Sequence, residues 1–113
     1  MRLITAIIRP GRYEAVRDAL TELGVQGVTL TEVRGFGRQR GKTEIYRGSE
    51  YEVLETPKLR LEILVPAALA EAAVEALTEA ARTGKVGDGV VYVTPVRDMA
   101  RVRTGESGPD ALG

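Results

Sequence analysis

The sequence has no cysteine and no histidine among its 113 residues. Without cysteine there is no disulfide framework, no thiolate metal site and no cysteine nucleophile. Without histidine the chain lacks the most frequent general base and zinc ligand, and a charge-relay triad that uses histidine is impossible. Carboxylates and lysines remain as bases, which weakens an enzymatic interpretation such as a slow ATPase. We therefore expect a protein that is not an enzyme.

An excess of charge of one sign is also missing, because 16 Lys and Arg residues balance 16 Asp and Glu residues. No global field draws the chain to nucleic acid or to an anionic membrane. The apolar runs are short and interrupted by charges, so we expect no transmembrane helix and no membrane insertion. The first eight residues lack the length and cleavage site of a signal peptide. The length indicates one domain over residues 1–113, with the cytoplasm as its expected location.

The hydrophobic pattern alternates between the periods of strands and helices. It predicts strands at residues 2–9, 25–34, 58–65 and 90–94, and helices at residues 13–23 and from 66 to about 84. A strand–helix–strand unit thus occurs twice, separated by a long loop. This order predicts an α+β fold of the ferredoxin-like double βαβ type (split βαβ), with both helices on one face of an antiparallel sheet.

The first and last strands are apolar on both faces, with Ile4 and Ile7 in one and Val91 and Tyr92 in the other. A sheet face that is open to water would show a cleaner alternation with polar residues. We therefore expect the second face to be buried in an oligomer. A monomer with a partly apolar open face is the alternative.

The segment from Gly35 to about Thr56 has no regular period, and a loop this long in a small domain is usually functional. Its glycines allow the backbone to approach a ligand. The loop is basic at its start and acidic at its end, which suits protein partners, although a disordered hairpin would show the same pattern. Zero net charge and the lack of aromatics among the basic residues argue against nucleic-acid binding. We expect residues 37–55 to be poorly ordered without a ligand.

Two shorter stretches could bind phosphate. Residues 83–89 contain three glycines, which can form a nest of backbone amides, although a helix cap followed by a turn has the same composition. The element order excludes a Walker loop there. In an extended chain Arg101 and Arg103 point the same way and can converge on one phosphate, although ordinary surface arginines have the same spacing.

Together these stretches resemble the PII nitrogen-regulatory signalling family. The resemblance runs without gaps from Met1 to about Glu106, and it is most specific at residues 31–39 (TEVRGFGRQ), 46–51 (YRGSEY), 81–89 (ARTGKVGDG) and 101–106 (RVRTGE). It implies a homotrimer that binds ATP or ADP between subunits and 2-oxoglutarate beside ATP through magnesium. It also implies that residues 37–55 form the family's T-loop, which docks on an ammonium transporter or on an enzyme or regulator of nitrogen metabolism.

The resemblance also assigns roles by position. The residues that it implies for nucleotide binding are Thr29, Gly37, Arg38, Glu62, Leu64, Gly87, Asp88, Gly89, Arg101 and Arg103. Contacts to 2-oxoglutarate fall to Gln39, Lys58 and Gly87, with Gln39 also the magnesium ligand. Residues 84–90 would form a phosphate-binding loop. Separately from the resemblance, residues 105–113 are rich in Gly, Ser, Pro and Asp, a composition that predicts a flexible C-terminal tail. Tyr51 and Ser49 match positions that are modified in some members of the family.

The sequence departs from the family pattern at three places. Val90 stands where the family nearly always has a lysine or arginine facing the phosphates, Lys42 replaces a histidine, and residues 54–56 replace a more apolar stretch. Valine supplies no charge-assisted contact, so nucleotide affinity should fall. These departures keep an alternative open, in which a diverged relative responds to AMP, ADP or bicarbonate and controls a transporter or carbon metabolism.

Overall fold

The computed structural model describes residues 1–36 and 55–112, together with the backbone pairing of residues 45–46 with residues 49–50. Its elements, in chain order, are β1 (Arg2–Ile8), α1 (Tyr13–Glu22), β2 (Thr29–Gly35), β3 (Ile45–Tyr46), β4 (Ser49–Glu50), β5 (Thr56–Val65), α2 (Ala67–Ala81) and β6 (Gly89–Pro95). Short 3-10 turns cover Pro10–Arg12 and Gly108–Leu112. Most of the predicted T-loop, residues 37–55, lies outside the described residues, so its predicted disorder stays a prediction.

The main sheet has the strand order β2–β5–β1–β6, and every neighbouring pair is antiparallel. The two central strands, β1 and β5, pair along the full length of β1, from Arg2 opposite Val65 to Ile8 opposite Leu59. Each outer strand is connected to a central strand through a helix. This arrangement confirms the predicted ferredoxin-like double βαβ fold.

Helices α1 and α2 cover one face of the sheet, and the hydrophobic core lies between the helices and the sheet. The core side chains are apolar and buried, at the positions Ile4, Ala6, Ile8, Val16, Leu20, Leu61, Ile63, Val65, Ala73, Leu77 and Ala81. Arg12 ties the two helices together, because its Nε and Nη2 donate to the Ala80 carbonyl at 3.0 and 2.7 Å. These bonds satisfy a carbonyl in the last turn of α2 that has no partner within the helix.

No helix within the described residues covers the opposite face of the sheet. It exposes large apolar side chains on β5 and β6, namely Leu64, Val90 and Tyr92. Polar and charged side chains of β5 interrupt this surface, for example the Arg60–Glu62 ion pair at 3.5 Å. The expectation that further subunits cover this face stays a prediction, since the structure describes a single chain.

The boundaries of two elements differ from the predicted ones by three residues or more, and the other boundaries differ by at most two residues. Strand β2 begins at Thr29 instead of residue 25, because the amides of Gly24 and Val25 bond back to α1 and Gly24 turns the chain with φ +91°. Helix α2 ends at Ala81, before the predicted end near Gly84, because the amides of Thr83 and Gly84 donate to Asp88 instead of to helix carbonyls. Both shifts come from local hydrogen bonds that periodicity does not show.

The segment that the sequence marks as a flexible tail folds back on the domain from residue 105 to residue 112. The Gly108 amide donates to the Met99 carbonyl at 2.9 Å and to Asp98 Oδ1 at 3.1 Å. Ala111 is buried in the 3-10 turn that follows. The buried Ala111 and the hydrogen bonds of Gly108 oppose the loss of chain entropy, and the Gly, Ser and Pro content alone would not indicate them. Among the described residues, neither helix is long and apolar enough to cross a membrane.

Candidate functional site

A single carboxylate organises the loop between α2 and β6. Asp88 accepts hydrogen bonds from the Thr83 hydroxyl at 2.5 Å and from the amides of Thr83 and Gly84, both at 2.8 Å. From the end of β1, Arg9 Nε donates to Asp88 at 2.9 Å and Arg9 Nη2 donates to the Val86 carbonyl at 2.8 Å. The Thr83 hydroxyl, followed by Arg9, holds the pKa of Asp88 well below its usual range. The loop is therefore formed before any ligand arrives.

A second cation lies beneath the same loop. Lys58, at the start of β5, is 8% exposed and is the one charged side chain that is buried in the described part of the chain. Its Nζ donates to the Gly87 carbonyl. Burial lowers the pKa of Lys58, the charge of Arg9 lowers it further, and Asp88 opposes the shift. Two cations thus share one carboxylate here, which leaves an electropositive position suited to an anion.

The loop runs close to β1, where only glycine fits. Gly89 has a φ of +111°, and a Cβ atom at that position would lie 1.8 Å from the carbonyl oxygen of Ile7. Gly87 also has a positive φ, +102°. The glycines that the sequence indicates as a phosphate nest therefore have a demonstrable backbone role in shaping the loop.

A separate cleft of about 1120 Å³ lies near the other end of β5. Thr29, Glu62, Leu64 and Arg101 line this cleft, together with residues 24–28 and the C-terminal 3-10 turn. Thr29 and Glu62 are paired across β2 and β5. The cleft thus combines apolar surface with a hydroxyl, a carboxylate and a guanidinium, which suits a ligand with an apolar ring and an anionic end. Arg103 is exposed and is not part of its lining.

Eight of the predicted site residues therefore form two groups within one chain. Lys58, Gly87, Asp88 and Gly89 come together at one end of the sheet, and Thr29, Glu62, Leu64 and Arg101 come together at the other. Lys58 and Glu62 are four residues apart on one face of β5, a separation of about 13 Å. The structure does not bring the two groups into contact with each other.

Four predicted site residues, Gly37, Arg38, Gln39 and Tyr51, lie outside the described residues. For Ser49 only the backbone pairing is described. The roles of all five in binding or modification stay predictions.

Sequence reasoning missed two residues that shape the site, Arg9 and Thr83. Arg9 lies 79 residues from Asp88 along the chain, so no local pattern links them. The position of Arg9 between the end of β1 and Pro10 is only a weak sign of a role in the site, because loops that follow strands often carry functional side chains. Thr83 lies five residues before Asp88, a spacing that a loop closed by a carboxylate could have suggested.

We expect Asp88→Asn to destabilise the protein at neutral pH, with a loss that shrinks in acid. The folded-state pKa of Asp88 lies below that of an unfolded aspartate, about 3.9. Its contribution is therefore present above about pH 4 and is lost as the pH falls through the folded-state pKa. Urea unfolding at pH 7 and pH 3 measures this.

The exposed Asp18 of α1 supplies the matched control for that experiment. We expect Asp18→Asn to leave the urea midpoint nearly unchanged at both pH values. An Asp88→Asn protein that matches the wild type at pH 7 would show that the carboxylate does not stabilise the loop.

Comparisons with known proteins agree with this geometry. The family model described as "Nitrogen regulatory protein P-II" matches residues 1–106. The chain is 50% identical over 112 residues to the nitrogen regulatory protein P-II of Azospirillum brasilense and 49% identical over 112 residues to that of Haemophilus influenzae, covering 99% of this chain and 100% of each relative. A crystal structure of Arabidopsis thaliana PII bound to citrate superposes with a TM-score of 0.80 at 38% identity, covering 97% of this chain and 90% of that one.

Proposed function

The chain belongs to the nitrogen regulatory protein P-II family, whose members are signalling regulators and not enzymes, and on this premise we propose a mechanism for its signalling role. ATP or ADP binds between the subunits of a homotrimer. The bound nucleotide, with 2-oxoglutarate, controls how residues 37–55 dock on an ammonium transporter or on an enzyme or regulator of nitrogen metabolism.

The observation that carries this proposal is the separation of the site residues into two groups. Each chain presents the 83–89 loop, with Arg9 and Lys58 beneath it, at one end of its sheet, and the cleft with Glu62 and Arg101 at the other. A ring of identical subunits, each joined to the next by the same contact, can place the loop of one chain against the cleft of its neighbour. A nucleotide held by both groups then contacts two subunits at once, so its binding depends on the assembly.

The electropositive base of the loop supports a carboxylate effector. Lys58 is buried, and within the described part of the chain only the Gly87 carbonyl and the shared Asp88 compensate its charge, while Arg9 lies next to it. A dicarboxylate such as 2-oxoglutarate would supply the missing negative charge and raise the lowered pKa of Lys58. The Arabidopsis relative bound to citrate supports the same chemistry. Gln39, the implied ligand of a magnesium ion shared with ATP, lies outside the described residues.

Calorimetric titration tests the proposal. We expect ATP and ADP to bind, and 2-oxoglutarate to release heat in the presence of Mg-ATP and none without it. Lys58→Met keeps the apolar stem and removes the charge, so it should abolish the 2-oxoglutarate response while nucleotide binding survives. The exposed Arg17→Met in α1, outside both groups of site residues, is the matched control and should keep both responses.

One observation favours a second candidate function. Val90 is exposed at the start of β6 beside Gly89, where it supplies no positive charge to phosphates. A site weakened in this way would prefer ligands with fewer phosphates, and the protein would then respond to ADP or AMP. Binding of AMP with no response to 2-oxoglutarate would support this diverged regulator, and failure of every adenine nucleotide to bind would overturn both functions.

A further inference from the structure

The C-terminal 3-10 turn, Gly108–Leu112, is fixed against the cleft that holds Arg101. A bridge between Ala100 and Ser107 and the bonds from the Gly108 amide close the connection before it. Ala111 is 1% exposed. Its carbonyl oxygen accepts a hydrogen bond from Arg101 Nε at 2.6 Å. The turn is thus joined directly to a side chain of the nucleotide site.

This bond determines which nitrogens of Arg101 remain available. Only Nε is used by Ala111, and within residues 1–36 and 55–112 the two Nη groups of Arg101 have no hydrogen-bond or ion-pair partner. A guanidinium presents its donors in a rigid plane, so a bond at Nε fixes the direction of the Nη pair. A phosphate could then be bound by both Nη groups with little further loss of side-chain entropy.

The volume of the cleft indicates whether the C-terminal turn blocks the nucleotide site or lines it. Pro109 and Leu112 line the same cleft as Leu64, and about 1120 Å³ is open with the turn in place. Pockets for small molecules generally measure about 300–1,000 Å³. A nucleotide therefore fits without displacing the turn. The turn lines the site and does not block it.

We propose that the C-terminal turn is a positioning element of the nucleotide site, in which the Ala111 carbonyl orients Arg101 toward a phosphate. Pro109 and Leu112 complete the apolar side of the cleft. The inference rests on the proposed function, because it concerns the same nucleotide. It adds a role for a segment that lies beyond the last residue matched by the family model, residue 106.

A double-mutant cycle between residues 111 and 101 tests the proposal. Ala111→Gln adds a side chain for which the buried position has no room, and it should release the turn. We expect Ala111→Gln to weaken ATP binding about tenfold by calorimetry. In an Arg101→Met background the same substitution should change ATP affinity less than twofold, because the arginine that the turn positions is then absent. Ala111→Ser, which fits the same space, should bind ATP within twofold of the wild type.

Thiol labelling distinguishes a turn that lines the site from a turn that blocks it. Because the wild-type chain has no cysteine, an introduced cysteine is the only thiol that reacts. We expect Ala111→Cys to react at least tenfold more slowly than the exposed neighbour Asp110→Cys, and to become slower still when ATP is added. Faster labelling of Ala111→Cys with ATP would overturn the inference, because the turn would then be leaving the site.

Three calorimetric outcomes separate this inference from the proposed function. Unchanged ATP affinity in Ala111→Gln would overturn the inference alone. A tenfold loss that persists in the Arg101→Met background would also overturn it, because the turn would act through something other than Arg101. A wild-type protein that binds no adenine nucleotide would overturn the proposed function and the inference together.

Discussion

Gly89→Ala is expected to cost the protein more than about 3 kcal/mol of stability and to abolish nucleotide binding. The added Cβ would lie 1.8 Å from the Ile7 carbonyl oxygen and 2.9 Å from its carbon. Both atoms belong to the backbone of β1, a central strand paired on each side, which cannot move without breaking two ladders. The φ of +111° adds strain for any residue with a Cβ.

Gly84→Ala is the matched control, because Gly84 also has a positive φ, +90°, but a Cβ added there would meet no atom of residues 1–36 or 55–112 within 4 Å. Its cost should be about 1–2 kcal/mol, from the backbone conformation alone. Urea unfolding of the three proteins measures the difference. Equal stability of Gly89→Ala and Gly84→Ala would contradict the close approach of the loop to β1.

Val90→Lys is expected to tighten ATP binding about ten- to a hundredfold, the value of one charge-assisted contact of about 1.5–3 kcal/mol. Val90 is 55% exposed and follows directly on the 83–89 loop. It lies opposite Ile7 at the end of β1 that leads to Arg9, so a lysine there would extend the positive charge already present. ATP carries more charge than AMP and should gain most, and the response to 2-oxoglutarate should increase with it.

Ala72→Lys provides the control for an added charge alone. Ala72 is exposed on α2 and belongs to neither group of site residues. We expect no change in ATP affinity from this variant. If Val90→Lys leaves the affinities for ATP, ADP and AMP unchanged, Val90 is an ordinary strand residue and the interpretation of this departure is wrong.

The order of strands and helices could be predicted because it depends on periodicity that each element carries within itself. Alternation in β5 and the apolar stripe of α1 are visible in a few consecutive residues. The start of β2 and the end of α2 depend on Gly24 and on Asp88, whose effects are local hydrogen bonds and not periods. These are the places where the observed boundaries differ most from the predicted ones.

The candidate site was predictable in its residue types but not in its arrangement. The glycine loop and the Arg101 position are visible in the sequence, and the resemblance named Lys58 and Glu62. The pairing of Arg9 with Asp88 depends on the fold bringing distant residues together, so it required the structure. The same holds for the burial of Ala111, since composition marked the C-terminal residues as a free tail.

Native mass spectrometry with Mg-ATP shows whether subunits share the nucleotide, because it measures assembly and nucleotide stoichiometry in one spectrum. We expect a complex of three 12.2-kDa chains that carries up to three nucleotides, since each site needs the loop of one chain and the cleft of the next. Arg101→Met should keep the three-chain mass and lose most of the bound nucleotide. A single chain that binds ATP by itself, or a trimer that binds none at millimolar ATP, would contradict a nucleotide site shared between subunits.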